Sequence, residues 1–232
     1  MPVASFANLL IRRLGTHWRL KLGLTVLLNL LFWGGYQFFS RHALTPIRTL
    51  QITWLDRWAE FQPQPWTVIY ETVYILVGLI PWLSVTREEI RRYVVGFAAL
   101  SVISFAVFAV FPVASPRPDD LGPNPFLVLV TQLDGPLNAF PSLHAGSVVY
   151  TIALAWRLFG RLMHPLAMAL LPLWGLLILY GTLATKQHYA VDLLAGGLIG
   201  WWADRWAWRH ASSSPSATDK TRLNAEASSQ NG

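Results

Sequence analysis

Three ionisable residues interrupt apolar segments of the chain: His144, His188 and Asp192. Ionisable groups are costly in apolar surroundings, so each needs a partner or a function. His188 and Asp192 are four residues apart, which puts them on one face of a helix within side-chain reach. The carboxylate would hold one imidazole nitrogen as N–H and leave the other as a nucleophile. The alternative is that Asp192 only satisfies a buried histidine.

A helix start lies directly before His144. Ser142 follows Pro141 and precedes an apolar run, so we predict that Ser142 caps the N-terminus of a helix. The free backbone N–H groups and the positive dipole at such an end suit a phosphate. His144, in the first turn, is placed to protonate a leaving group. The alternative is a plain capped helix with an interfacial histidine.

Two basic residues are candidate phosphate ligands. Arg117 lies between Pro116 and Pro118, which stiffen its backbone, and a guanidinium held in this way suits bidentate phosphate binding. Lys186 comes two residues before His188. The alternatives are that Arg117 meets lipid headgroups and that Lys186 faces solvent.

Together these residues predict phosphoryl transfer through a phosphohistidine. His188 would attack phosphorus while Asp192 orients it. His144 would give a proton to the leaving oxygen and then take one from the incoming water or alcohol. Arg117, Ser142 and backbone N–H groups would stabilise the equatorial oxygens.

The same residue types can also bind zinc, so a metal-dependent membrane hydrolase with His144, His188 and Asp192 as ligands is an alternative. A metal site would not require the anion-binding features, and we therefore predict neither a metal nor a cofactor. The 232 residues include no cysteine, which excludes disulfides, thiolate catalysis and Cys-ligated metal sites.

The composition indicates that membrane helices position these residues. The chain is 53% apolar and only 13% charged, with a mean hydropathy of +0.39, whereas soluble domains carry about 25% charged residues. The net charge of +6 is not accompanied by a nucleic-acid motif, so we expect the basic residues to set topology and contact lipid, with no nucleic-acid partner.

We predict an all-α bundle of six transmembrane helices in a single domain over residues 1–210, followed by a disordered cytoplasmic tail over residues 211–232. An amphipathic helix on the outer surface is predicted over residues 47–61. The six apolar segments are residues 22–39, 66–83, 93–111, 140–156, 165–184 and 188–203.

Lys and Arg are concentrated in the connections that share a side with the N-terminus, which predicts that both termini are cytoplasmic. His144 and His188 then begin their spans from the outer side, at the same membrane depth. We expect a multi-pass protein of a bacterial inner membrane, with the site facing the periplasm.

The motifs resemble those of the type 2 phosphatidic acid phosphatase superfamily, whose pattern is K-x6-R-P, then P-S-G-H, then S-R-x5-H-x3-D. Residues 141–144 read P-S-L-H, residues 188–192 supply H-x3-D, and Arg117-Pro118 ends the first part. The resemblance covers roughly residues 112–200. It implies six membrane helices and a metal-independent lipid phosphatase or phosphotransferase.

Four positions depart from this pattern: Val110, Leu143, Gly181 and Thr182 stand where it has Lys, Gly, Ser and Arg. Two expected phosphate cations are therefore missing. Residues 140–144 and 185–189 resemble the inositol phosphorylceramide synthase branch, which transfers a phospho-alcohol headgroup between lipids.

We expect a lipid or polyprenyl phosphate phosphatase whose partners are a lipid phosphate or phospholipid substrate and the bilayer. The alternatives are a headgroup transferase and a non-catalytic transporter or scaffold. The sequence does not indicate the oligomeric state.

Overall fold

The computed structural model describes residues 3–210, so the predicted tail over residues 211–232 lies outside the described residues. Ten helices follow one another in this range: α1 (Val3–Gly15), α2 (Trp18–Arg41), α3 (Trp54–Trp58), α4 (Pro63–Glu71), α5 (Val73–Trp82), α6 (Arg87–Val110), α7 (Pro125–Leu133), α8 (Leu143–Phe159), α9 (Pro165–Ala184) and α10 (Ala190–His210).

The all-α fold class is confirmed, since residues 3–210 contain no strand. Three helices, α2, α6 and α9, are long and apolar enough to cross a membrane, while α8 is apolar but shorter. The helix that carries the acidic residues Asp192 and Asp204, α10, is not among them. The six spans and the cytoplasmic position of both termini remain predictions.

The segment predicted as one span over residues 66–83 is divided into two helices at Thr72. The Thr72 hydroxyl donates to the carbonyl oxygen of Ile69 (2.6 Å) and accepts from the indole N–H of Trp174 in α9 (2.8 Å). A side chain that binds both its own turn and a neighbouring helix therefore fixes the break. α4 then packs along α9, and α5 packs along α8.

The central helix, α8, packs against α5, α6, α9 and α10. Its contact with α10 is the closest, because two glycines of α10 face the backbone of α8. A Cβ atom at Gly196 would collide with the carbonyl of Ser142, and one at Gly200 would collide with the carbonyl of Gly146. The largest fully buried apolar side chains of the bundle are Tyr70, Tyr150, Phe108, Leu76, Leu100, Leu127, Leu154 and Ile178.

Three loops meet beside the starts of α8 and α10. Val113 forms isolated β-bridges with Arg48 and with Asn138. The backbone N–H of Ala139 also donates to the carbonyl of Val113 (3.2 Å). These bonds fix the segment that leads into α8, including a backbone carbonyl that the site uses. Within residues 47–61, the predicted amphipathic helix is limited to the short α3.

Candidate active site

The two histidines lie side by side in the structure. His144 is in the first turn of α8, and His188 lies in the loop just before α10. The His144 Nδ1 and His188 Nε2 atoms are 3.1 Å apart, within hydrogen-bond distance, and both side chains are buried. Residues 44 positions apart in sequence thus form one polar pair inside the bundle.

The other nitrogen of His188 faces two acceptors. His188 Nδ1 is 3.2 Å from Asp192 Oδ2 and 3.1 Å from the carbonyl oxygen of Ala139. Both neighbours can only accept when Asp192 is ionised, so Nδ1 carries the hydrogen and donates it. A neutral His188 then has its lone pair on Nε2, the atom that faces His144. This is the tautomer that a nucleophilic imidazole requires.

Ser142 ties α8 to α10 at this point. Its hydroxyl oxygen accepts from the backbone N–H of Ala145 (3.2 Å), so the side chain caps α8. Its own backbone N–H donates to the carbonyl of Asp192 (3.0 Å). Gly196, one turn after Asp192, lets the two backbones touch here, so Asp192 is held directly beside the cap of α8.

Arg117 is held at the C-terminal end of α7. Its Nη1 donates to the carbonyl oxygens of Asp134 (2.8 Å) and Thr131 (3.3 Å), while its Nε is buried and has no hydrogen-bond partner among residues 3–210. Burial lowers the pKa of this guanidinium, and the Asp134 carboxylate opposes that shift. The Arg117 guanidinium also interacts electrostatically with His144. Arg117 therefore keeps unused donor capacity near the histidine pair.

Lys186 has another position. Its backbone is in the left-handed region (φ 55°), and its ammonium donates to the carbonyl oxygens of Asp56 (2.7 Å) and Ala59 (2.5 Å) at the end of α3. Burial lowers the pKa of this ammonium. Lys186 and His188 both line a cavity of 180 Å³. The structure thus places this cation beside the site, bound to backbone oxygens.

Asp56 closes the start of α10. Its Oδ1 accepts from the backbone N–H of Ala190 (2.7 Å), and its Oδ2 accepts from the backbone N–H of Thr53 at the start of α3. The N-terminus of α10 is therefore occupied by a carboxylate of this chain. The N-terminus of α8, the other helix start at the histidine pair, is capped by the Ser142 hydroxyl instead of a carboxylate.

Tyr70 is a site residue that the sequence analysis missed. Its ring packs edge-on against His144 with the ring centroids 5.5 Å apart, and the residue is fully buried. Its hydroxyl makes no hydrogen bond of acceptable geometry to residues 3–210, although Asp134, Glu71 and Arg117 interact with it electrostatically. Gly181 makes room for it, because a Cβ there would lie 2.9 Å from the Tyr70 Cβ.

A second missed feature is the pair of Tyr36 and Asp134. The hydroxyl of Tyr36 donates to Asp134 Oδ1 (2.7 Å), and both residues are buried. The backbone of Asp134 is also the main anchor of Arg117. The Tyr36–Asp134 hydrogen bond therefore helps to fix the residue that anchors the Arg117 guanidinium. No spacing in the sequence predicted this pair.

The two positions at which the motif pattern has a cation carry neutral side chains, although the backbone carbonyl of Thr182 accepts from the N–H of His188 (3.3 Å). Val110 is largely exposed at the end of α6. Thr182 is fully buried and its hydroxyl donates to the carbonyl of Leu179 (2.8 Å). Neither provides a charge, and no group of three or more potential metal ligands is assembled within residues 3–210.

The arrangement contains two buried imidazoles in contact, a carboxylate that faces one of them, a capped helix N-terminus and a nearby guanidinium. The two imidazoles contact each other directly. A phosphoryl group would have to separate them to be attacked by one and to receive a proton from the other.

Comparison with known proteins gives one match. A protein-family model described as the PAP2 superfamily matches residues 48–203, about two thirds of the chain. The matched range includes α3 to α9, most of α10 and all six of the residues predicted from sequence to form the site. No curated protein and no solved structure matches the chain.

Proposed function

The chain belongs to the PAP2 superfamily, and on this premise we propose that it is an integral-membrane phosphatase acting on a lipid or polyprenyl phosphate through a phosphohistidine. Superfamily membership fits a phosphatase or phosphotransferase. The observation that carries the finer proposal is the geometry of His188, whose Nδ1 faces Asp192 and the carbonyl of Ala139 while its Nε2 faces His144.

In the first half of the reaction, the Nε2 lone pair of His188 forms a bond to phosphorus and the phosphorus–oxygen bond to the lipid breaks. The leaving oxygen takes a proton from His144. Asp192 accepts the Nδ1 hydrogen bond and stabilises the positive charge that develops on His188.

In the second half, a water molecule attacks the phosphohistidine. His144 takes a proton from this water, the nitrogen–phosphorus bond breaks, and phosphate leaves with His188 restored. Each group ends in its starting state, so the cycle is balanced without a cofactor.

Arg117 and the N-terminus of α8, capped by Ser142, would bind the non-reacting phosphate oxygens. The buried Arg117 Nε without a hydrogen-bond partner supports this role. Lys186 would contribute by exchanging a backbone carbonyl for a phosphate oxygen in the cavity that it shares with His188.

A second candidate function is transfer of a phospho-alcohol headgroup between lipids, as in the inositol phosphorylceramide synthase branch. The neutral residues Val110 and Thr182 favour it, because a phosphodiester monoanion needs fewer cations than a monoester dianion. In that case an alcohol replaces water in the second half-reaction, and His144 deprotonates it.

We further propose six spans with cytoplasmic termini, a single domain over residues 1–210, and a site that opens on the periplasmic side of a bacterial inner membrane. Three helices of suitable length and the clustering of the site at one end of the bundle support this placement.

The test uses protein purified in detergent with EDTA and supplied with phosphatidic acid, a polyprenyl diphosphate or phosphatidylinositol, with and without an alcohol acceptor. We expect EDTA-resistant release of phosphate that His188→Ala abolishes and that His42→Ala, an exposed histidine at the end of α2, leaves unchanged. Headgroup transfer without free phosphate would instead identify the transferase. Inhibition by EDTA would overturn both the phosphatase and the transferase as metal-independent enzymes. No turnover of any substrate would favour the transporter or scaffold.

A further inference from the structure

We propose that the cavity lined by α2, α5, α6 and α8 holds one hydrocarbon chain of the substrate, and that Trp82, at the end opposite His144, limits the length of that chain. This proposal rests on the proposed function, because it assumes that the phosphate at the histidine pair belongs to a lipid.

The cavity has a volume of 290 Å³ and reaches the active site. His144 and Ser147 of α8 line one end of it. Residues of α2 from Thr25 to Tyr36 line one side at intervals of three or four, and α5 contributes a similar stripe. Single faces of two helices therefore form a continuous wall that leads away from the histidines.

The dimensions suit one chain. The lining of α2 extends over twelve residues from Thr25 to Tyr36, which corresponds to a helical rise of about 16 Å. This is about half of the ~30 Å hydrocarbon core of a bilayer, the depth that one leaflet occupies. A volume of 290 Å³ lies just below the ~300–1,000 Å³ of small-molecule sites, which suits one chain better than two.

The chemistry of the lining suits a hydrocarbon. Its walls are mainly apolar side chains such as Leu28, Phe32, Val77 and Phe97, and no Asp, Glu, Lys or Arg is among the described residues that line it. A water-soluble substrate would leave this surface exposed to water beside the catalytic pair, whereas a hydrocarbon chain would bury it.

Trp82 lies at the end of the cavity opposite His144. Its indole N–H donates to the Thr25 hydroxyl of α2 (3.0 Å), and its carbonyl accepts from the ammonium of Lys21 (2.5 Å). Bonds to α2 thus hold both the side chain and the backbone of Trp82. Because Trp82 is held in this way, it would limit the hydrocarbon chain of the substrate to a defined length.

Gly78 permits a direct test. It lines the cavity midway along α5, and a Cβ built on it meets no atom within 4 Å. The first carbon of a side chain at this position therefore has open space, so we expect Gly78→Leu to occupy part of the cavity, and leucine is the better helix former. Gly34 of α2 is the matched control, because it also has no atom within 4 Å and does not line the cavity.

The binding experiment uses hexadecyl phosphate with a photoactivatable diazirine at the chain end. We expect crosslinks near Thr25 and Trp82, and a loss of at least fivefold in Gly78→Leu but not in Gly34→Leu. Crosslinks confined to the outer surface of the bundle, or unchanged crosslinks in Gly78→Leu, would overturn the proposal. This readout does not depend on turnover.

The kinetic experiment compares octyl, dodecyl, hexadecyl and eicosyl phosphate, with dihexadecanoyl phosphatidic acid as a two-chain substrate. We expect Gly78→Leu to lower the hexadecyl-to-octyl ratio of kcat/KM by at least tenfold, and Trp82→Leu to raise the eicosyl-to-hexadecyl ratio. Crosslinks as expected without hydrolysis of any ester would refute the proposed function but keep the cavity assignment. Hydrolysis with ratios that neither variant changes would refute the cavity assignment alone.

Discussion

At the scale of single residues, the surroundings of His188 determine which of its nitrogens can attack phosphorus. The carboxylate of Asp192 and the carbonyl of Ala139 both face Nδ1, so Nε2 is left with the lone pair. Asp192→Asn would present either an amide N–H or an amide oxygen to Nδ1 and would remove the charge that stabilises the phosphorylated imidazole. We expect kcat to fall by about 1,000-fold, measured as phosphate release, with a smaller change in KM.

The control for this variant lies on the same helix. Asp204 is also buried, and it pairs with Arg157 through contacts of 2.6 and 3.1 Å, away from the histidines. Asp204→Asn should lower the melting temperature while kcat stays within about twofold of the wild type. Equal losses of kcat in the two variants would show that Asp192 has a structural role only.

Tyr70 offers a prediction of a different kind. Because its hydroxyl has no hydrogen-bond partner of good geometry within residues 3–210, Tyr70→Phe should not lower the melting temperature. If that hydroxyl binds a phosphate oxygen next to His144, kcat/KM should fall by roughly tenfold, the value of one hydrogen bond of ~1.4 kcal/mol.

Tyr150→Phe provides the opposite control. The Tyr150 hydroxyl donates to the carbonyls of Arg92 and Tyr93 (both 3.0 Å), so its loss should lower the melting temperature and leave kcat/KM unchanged. If Tyr70→Phe instead destabilises the protein without changing kcat/KM, Tyr70 is a packing residue.

The sequence could predict the residues of the site whose spacing has a periodic meaning. The i, i+4 relation of His188 and Asp192 and the capping position of Ser142 both appear in the structure. Tyr70 could not be predicted, since an aromatic residue in an apolar segment is normally interpreted as a core residue. The carbonyl oxygens that bind Arg117 and Lys186 could not be predicted either, because every residue has a backbone carbonyl.

At the scale of the elements, the approach of α10 to α8 holds the two histidines together. Gly196 faces the carbonyl of Ser142 with no room for a Cβ atom. Gly196→Ala should push the helices apart, with a cost of about 1–3 kcal/mol and a large loss of kcat. Gly197, the next residue, has its nearest neighbour, the Val149 side chain, at 3.6 Å, so Gly197→Ala should be tolerated. Melting temperature and kcat, measured together, check both outcomes, and equal tolerance would contradict this account.

The limits of the helices show what hydropathy can and cannot supply. The predicted span over residues 165–184 coincides with α9. A long apolar run that begins with a proline predicts both a helix and the residue at which it starts. The break at Thr72 could not be predicted, since it depends on a hydrogen bond from Trp174, about one hundred positions away. The short α3 combines a local capping box of Thr53 and Asp56 with a tertiary contact, in which Asp56 also binds the start of α10.

At the scale of the whole molecule, the absence of cysteine makes the topology easy to test. Asp119 is exposed in the connection between α6 and α7, and Arg161 is exposed in the connection between α8 and α9. In spheroplasts, a membrane-impermeant maleimide should label Asp119→Cys at once and Arg161→Cys only after permeabilisation. Chains without cysteine give no background. The reverse pattern would place the site on the cytoplasmic side, and labelling of both would contradict six spans.

The number of spans could be predicted only from the pattern of Lys and Arg around the apolar segments. By length and composition alone three helices qualify, because α8 is short and α10 carries charged residues. Helices of this kind cross a membrane only when neighbouring helices cover their polar groups. The packing of α8 against four other helices supplies such cover, and hydropathy does not detect it.

The most direct test of the account is to trap the covalent intermediate. Protein mixed with a ³²P-labelled substrate that it hydrolyses is quenched within milliseconds, digested, and analysed for acid-labile, base-stable phosphate. The account predicts label on the peptide that contains His188, none in His188→Ala, and normal labelling in His42→Ala. Turnover without label on His188, or label on another residue, would contradict the phosphohistidine mechanism.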